Sequence, residues 1–258
     1  MKPQGKPVPK RHAREENPED RPNRDDTRSG HAGPCEAESP SPRNLPEKGA
    51  ILQRDQKTYS ISPHIPGGFA DPALLRKIAD IAEEYGAEFI KLTGAQRIAI
   101  IGIRKEDLEA AWAGFPDRSA AVGPTIRSIR ICPGTRACKK ALQDAPALGF
   151  TLDAEFYGAP APSKFKMGVS GCPNCCADSR MKDLGFFGTS TGFTVVAGGK
   201  GGREPRIGRE IARGLTADQA AEMARRVITF YRMYGKAHER LATTIDRVGF
   251  DTFLSGVT

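Results

Sequence analysis

Ser163-Lys-Phe-Lys-Met-Gly-Val-Ser-Gly-Cys-Pro-Asn-Cys-Cys176 reads as a strand over residues 163–169 that runs through Ser170-Gly171 into a cysteine loop. A second apolar stretch, residues 125–131, leads in the same way into Cys132, and Cys138 follows after five intervening residues. Four thiolates, two from each loop, suit an iron–sulfur cluster, whose irons take soft anionic sulfur ligands. Structural zinc sites usually space paired cysteines by about two to four residues. The five residues between Cys132 and Cys138 fit that pattern poorly, so the spacing points to redox chemistry.

Beyond the second cysteine pair, residues 184–188 and 192–197 read as strands, followed by the loop Gly198-Gly-Lys-Gly-Gly-Arg203. Thr216 with Gln219 makes a capping box for a helix to about residue 234, and a last helix is expected over about residues 236–248. Near the cysteines, the pattern predicts a short helix over residues 136–144 and a helical turn at Cys176. Upstream, residues 57–62 alternate as a strand. Asp71-Pro72 then supplies an N-cap and a first-turn proline. Leu74, Ile78, Ile81 and Tyr85 follow at helical spacing, and Gly86 is placed to end that helix. Residues 88–93 and 98–103 read as strands around Gly94-Ala-Gln-Arg97, and residues 105–113 as a helix with Leu108 and Trp112 on one face. This β-α-β-β-α order is that of a split βαβ unit. An α+β chain is expected, with a ferredoxin-like subdomain over residues 51–120 and a mixed α/β domain over residues 121–258.

Residues 1–50 are of another kind. They hold 9 of the 20 prolines, 10 basic and 9 acidic residues, and almost no bulky apolar side chains. Such a segment buries too little surface to offset its ordering entropy, so a disordered tail is expected there, with Cys35 and His31 outside any ligand set. A later start near Ile51-Leu52 is the alternative. At 258 residues the chain can bury a sizeable core. No apolar run approaches a membrane span, and Met1-Lys-Pro-Gln-Gly5 lacks the apolar stretch of a secretory signal. A cytoplasmic location without a membrane partner is expected, where cysteines serve as metal ligands or free thiols. The net charge of +8 invites a nucleic-acid partner. Acidic residues are interspersed throughout, however, so a solvated mixed-charge surface is preferred, with a minority of the cations left to line an anion pocket.

Cys132-x5-Cys138 followed by Gly171-Cys-Pro-Asn-Cys-Cys176 resembles the signature of siroheme-dependent nitrite and sulfite reductases. The resemblance runs over about residues 51–253. It includes Ile65-Pro-Gly-Gly-Phe69, Lys91-Leu-Thr-Gly-Ala-Gln-Arg-Ile98, Lys164-Phe-Lys166 and Gly198-Gly-Lys-Gly-Gly-Arg-Glu-Pro-Arg-Ile-Gly208. Many members carry two copies of this unit; here there is one, as in the small single-unit reductases. The resemblance implies that Cys132, Cys138, Cys172 and Cys176 hold a [4Fe-4S] cluster and that Cys176 also bridges it to a siroheme iron. Cys175 has no counterpart ligand and is expected to be a small packed side chain. Siroheme carries many carboxylates and needs a cationic, donor-rich cradle. Arginine forks and close backbone N–H groups at glycines provide one. The candidates are Arg97, Asn174, Gly198, Gly199, Gly201, Gly202, Arg203 and Arg206, while Arg136 is expected to be a solvated charge.

Lys164 and Lys166 alternate along one strand and so share a face, which is costly unless an anion or water lies against them. From the residues alone, a solvated face and a site are equally good readings. The resemblance implies that both face the substrate side of the siroheme, binding sulfite or nitrite and helping to deliver protons. Arg127 resembles a third substrate-binding cation, with Arg130 close enough to take that role. Members often have arginine two residues before Pro-Gly-Gly; here that position is His64, which can carry charge or donate a proton near neutral pH. A histidine simply bonded at a strand end is the plainer reading.

The resemblance therefore implies a six-electron reductase of sulfite to sulfide, with nitrite to ammonia as the alternative. A siroheme and cluster protein that only transfers electrons is a second reading, and a zinc-dependent nucleic-acid binder a weaker third. No flavin or nicotinamide motif is evident, so an external electron donor such as a ferredoxin or a reductase subunit is expected. A lone unit also points to a homo-oligomer or a complex with a related chain.

Overall fold

The computed structural model describes residues 43–115 and 120–258. The expected tail lies outside the described residues up to residue 42, and so do Cys35 and His31. From residue 43 the chain already belongs to the fold. Leu45 is buried, and Pro46–Lys48 forms a 3-10 helix that leads into the first strand.

Four antiparallel strands build the first sheet: Ala50–Leu52 (β1), Thr58–Ile61 (β2), Phe89–Leu92 (β3) and Ile98–Arg104 (β4), in the order β1-β2-β4-β3. Helix Pro72–Glu84 (α1) begins as the sequence predicts, with the Asp71 carboxylate accepting the Leu74 N–H at 2.7 Å. Its buried Leu74, Ile78 and Ile81 join Ile61, Ile100 and Ile103 of the sheet and Leu108 of Leu108–Ala113 (α2) in one core. The split βαβ order is present with one addition. Strand β1 fills the outer edge beside β2; its Ala50 falls in the segment expected to be tail, and Ile51 and Leu52 open the patterned sequence.

A second sheet contains Arg130–Ile131 (β5), Met167–Ser170 (β6), Leu184–Thr189 (β7), Gly192–Ala197 (β8) and Arg209–Leu215 (β9), ordered as in sequence. Strands β5, β6 and β7 are parallel, and β7, β8 and β9 antiparallel. Ala145–Phe156 (α3), Ala217–Tyr234 (α4), Leu241–Val248 (α5) and Phe250–Val257 (α6) supply its helices. Helix α4 carries the expected capping box: Gln219 N donates to Thr216 Oγ1 and Thr216 N to Gln219 Oε1.

Several sequence expectations are corrected here. The strand over residues 125–131 is regular only in β5; Thr125 and Ile126 make single bridges to Pro160 and Phe165. Residues 136–144 are not a helix, because Leu142 N and Gln143 N donate instead to Gly171 O at 2.7 and 3.0 Å. A helix starts only at Ala145, past the end of that range, at α3, where Asp144 caps Ala147 N and Pro146 stands in the first turn. Helix α3 is buried on most of its surface, so it lacks the polar stripe that reveals a helix by its period. The last helix begins only at Leu241, since His238 N is held by Pro162 O and Tyr231 hydroxyl donates to Glu239 O. Gly249, at φ +90°, then separates α5 from α6. Strand β9 was not anticipated.

The two sheets are joined beside the first cysteine. Gln96, in the β3–β4 turn, donates to Ile131 O at 3.0 Å and accepts from Ile131 N at 2.8 Å, so a side-chain amide takes a strand's place along β5. The turn at Gly67 presses on the same residue: a Cβ there would lie 2.7 Å from Ile131 Cδ1, and its φ of +58° already favours glycine. Among the described residues no helix is long and apolar enough to cross a membrane.

Candidate functional site

Neighbouring parallel strands end at both cysteine loops. The register pairs Ile131 of β5 with Val169 of β6, and Cys132 N donates to Val169 O at 3.0 Å. Cys132 and Cys172 therefore leave the same edge of the sheet, the carboxyl ends of parallel strands, where α/β proteins place ligands. The loops clasp each other through Gly171, whose carbonyl accepts Leu142 N and Gln143 N and whose N–H donates to Cys132 Sγ at 3.0 Å. No side chain fits at Gly171, since a Cβ would meet Gln143 O at 2.8 Å. Instead of the expected helical turn at Cys176, Cys175 and Asp178 both take left-handed backbone, φ 51°, before the 3-10 helix Ser179–Met181.

Cys132 and Cys172 are buried, whereas Cys138 and Cys176 are exposed. Among the described residues no three Cys, His, Asp or Glu side chains converge tightly enough to hold a single metal ion. Cys132 Sγ is turned to the Gly171 N–H, and Cys138 and Cys176 are exposed. An all-thiol set spread over two clasped loops suits a multi-iron cluster, in which each thiolate binds its own iron, better than a lone zinc. Cys175 is half-buried, and burial pushes its thiol pKa up, which suits a packed side chain.

Five cations read from the sequence line one cavity, with Lys182 added. A cavity of ≈350 Å³ is walled by Arg97, Arg127, Arg130, Lys164, Lys166 and Lys182, together with Ser128, Met167, Gly94 and Ala95, and among the described residues no carboxylate is in its wall. Phe165 places the two lysines: it is buried and bridged to Ile126, so Lys164 and Lys166 on either side turn the other way. They precede β6 rather than lie within it, yet share a face as expected. Lys166 is fixed through its N–H, which donates to the buried Asp183 carboxylate at 2.8 Å; that carboxylate also takes both fork nitrogens of Arg240, at 2.9 and 2.6 Å.

Crowded like charges make the cavity electron-poor. Burial, then Arg240 and Lys164, push the Lys166 pKa down. Burial and Arg97 do the same to Arg127, and burial and Arg130 to Lys182. The Nε atoms of Arg97, Arg127 and Arg130 are buried without a hydrogen-bond partner. Orphaned donors on three guanidinium groups around one cavity are what a carboxylate-rich macrocycle or an oxyanion satisfies, so the residues present fit such a group.

Other candidates are placed differently. His64 is buried behind the wall, with Nε2 2.6 Å from Asp153 Oδ2 and Nδ1 3.2 Å from Ser128 Oγ. Arg206 donates to Gly198 O, Asp246 and Ala242 O, pinning the glycine loop to α5 rather than facing the cavity. In that loop Gly198 and Gly199 are buried, and a Cβ on Gly199 would meet the Arg180 and Lys182 carbonyls at 2.6 Å. Gly201, Gly202 and Arg203 are exposed at the tip, as is Asn174 in the cysteine loop. Arg136 is an exposed charge over the Phe150 ring. Sequence reasoning missed Ser128, Lys182 and Asp153, each a single polar residue with no motif of its own; only the spacing of Ser128 from Arg127 and Arg130 hinted at a shared wall.

The family model for the nitrite and sulphite reductase 4Fe-4S domain matches residues 122–258, and that for the nitrite/sulfite reductase ferredoxin-like half domain matches residues 51–115. The chain is 36% identical over 211 residues to an assimilatory-type sulfite reductase of Nitratidesulfovibrio vulgaris, covering 81% of this chain and 97% of the relative. It is 39% identical over 201 residues to an NAD(P)H nitrite reductase of Bacillus subtilis, covering 78% of this chain and a quarter (25%) of that one. Among solved structures, dissimilatory sulfite reductase I superposes with a TM-score of 0.70 at 16% identity, over 78% of this chain and 69% of that one. Mycobacterium tuberculosis NirA superposes with a TM-score of 0.68 at 19% identity, over 76% and 39%. These two likenesses are of fold.

Proposed function

Because the chain belongs to the nitrite and sulfite reductase family, we propose that it reduces sulfite to sulfide with six electrons at the cation-lined cavity. It is an oxidoreductase whose cofactors are a [4Fe-4S] cluster and siroheme. The observation that carries the substrate reading is the wall of six cations with no carboxylate among the described residues. When bound, the two cofactors supply the electrons and the iron that takes the anion.

The chain's own residues do the rest. Cys132, Cys138, Cys172 and Cys176 would hold the cluster, with Cys176 the thiolate that would also serve the siroheme. Arg97, whose Nε is buried without a partner, Asn174 and the glycine loop with Arg203 would cradle siroheme carboxylates. Lys164, Lys166 and Arg127 bind the oxyanion and stabilise charge as oxygen is lost. Each oxygen leaves as water and takes two protons, and a lysine whose pKa is pushed down gives up its proton more readily. Electrons arrive from an external ferredoxin or reductase subunit, and the chain works as a homo-oligomer or beside a related chain. We place it in the cytoplasm, where reducing conditions keep its thiols free.

Anaerobic turnover of the holoprotein with a chemical electron donor tests this. Sulfide from sulfite is expected at higher kcat/KM than ammonia from nitrite. The reverse order makes nitrite the substrate, and neither product rejects the reductase reading.

A further inference from the structure

We propose that His64, held by Asp153, feeds protons into the cavity through the hydroxyl of Ser128. The inference deepens the reductase reading and rests on it. Three parts of the chain meet here: His64 from the segment after β2, Ser128 from the segment before β5, and Asp153 from α3. All three residues are buried. Asp153 Oδ2 lies 2.6 Å from His64 Nε2, and its other oxygen accepts the Ile129 N–H at 3.3 Å. A carboxylate accepts only, so it fixes the imidazole hydrogen on Nε2. The mobile proton is then the one on Nδ1, which faces Ser128 Oγ at 3.2 Å. Ser128 is in the cavity wall with Arg127, Lys164 and Lys166. Tyr157 lies flat on the imidazole, ring centroids 3.4 Å apart and planes 9° from parallel, and fixes its tilt.

The transfer balances without a redox partner. The imidazolium gives its Nδ1 proton to Ser128 Oγ, and the hydroxyl releases its own proton to an oxygen of the bound anion. His64 is left neutral, with its Nε2–H still on Asp153. It is recharged from solvent across the 10% of its side chain that stays open. The ionisable groups facing the pair are Asp153 from α3, Tyr157 just after it, whose hydroxyl also bonds to Ser128, and Arg127 beside Ser128, with Arg97 near enough to act on both Tyr157 and Arg127. His64 acts through Ser128, outside the cavity wall, so it serves proton delivery rather than anion binding.

The test compares Ser128→Ala and His64→Gln holoenzymes with the wild type under saturating reductant. Sulfite binding is measured separately by absorption titration. The expected result is a kcat lowered by about 10²-fold in both, with sulfite affinity unchanged. The pH dependence of kcat is expected to depart from the wild-type profile in both, and in the same way. Ser128→Ala removes one oxygen atom and decides the matter if His64→Gln fails to fold. A Ser128→Ala enzyme with wild-type kcat and pH profile overturns the relay, as does a loss confined to sulfite affinity. Wild-type enzyme that reduces neither anion overturns the reductase reading instead, so the two failures are distinguishable.

Discussion

Lys166 shows how a single residue is set by its surroundings. Its N–H is anchored to a buried carboxylate, while burial, Arg240 and Lys164 push its ammonium pKa below the ordinary lysine value. An anion in the cavity favours the protonated form. Sulfite affinity therefore falls as pH rises through the lysine's titration, at a lower pH than an unperturbed lysine would give; a titration of dissociation constant against pH checks this. Lys166→Ala and Lys164→Ala are each expected to lower kcat/KM by about 10²-fold or more while leaving the visible absorption of the cofactors in place. The lysine pair was legible in sequence because Phe165 between them marks the alternation. His64 was legible only as an odd residue in a motif, since its partners stand 64 and 89 positions away in sequence. Its burial behind Ser128 depends on α3, which the sequence pattern did not disclose.

Elements were readable where local chemistry declared them. Asp71-Pro72 and the Thr216/Gln219 box each set a helix start, and Thr216→Ala is expected to cost about 1 kcal/mol of stability, measurable by denaturant unfolding. Helix α3 was not readable, because most of its residues are buried and its exposed face, Ala147, Thr151, Ala154 and Glu155, is half alanine and makes no polar stripe. Helix α5 has a different anchor. Glu239 accepts from Arg247, Lys236 N and Thr244, and the Arg247 fork above all lowers its carboxyl from the ordinary 4.5 to about 2. A depressed carboxyl contributes stability that is complete above pH 4.5 and lost as pH falls toward about 2. The melting-temperature gap between wild type and Glu239→Gln should therefore be full at neutral pH and begin to close below pH 4.5. Strand β7 carries a steric constraint: a Cβ on Gly185 would lie 1.9 Å from Ser179 O. Gly185→Ala should displace the 3-10 helix that follows the cysteine loop and lower iron content per chain, with far-UV circular dichroism retained.

At the scale of the whole molecule, two sheets meet where the Gln96 amide substitutes for a strand beside β5. That joint places the turn bearing Arg97 opposite the segment bearing Arg127 and Arg130, so the cavity belongs to neither sheet alone. Sequence spacing placed each half separately but could not disclose the joint, which depends on one amide and one glycine turn. The oligomer proposal predicts that the holoprotein sediments as a species larger than its 27.9 kDa chain, and a fully active monomer rejects it. The unequal burial of the four cysteines has a consequence for chemical labelling. In chain produced without cofactors, Cys138 and Cys176 should alkylate with iodoacetamide well before Cys132 and Cys172, which are shielded at the strand ends. Peptide mapping after a short pulse would then divide the thiols by depth, two labelled and two protected, and cluster assembly should begin from the outer pair.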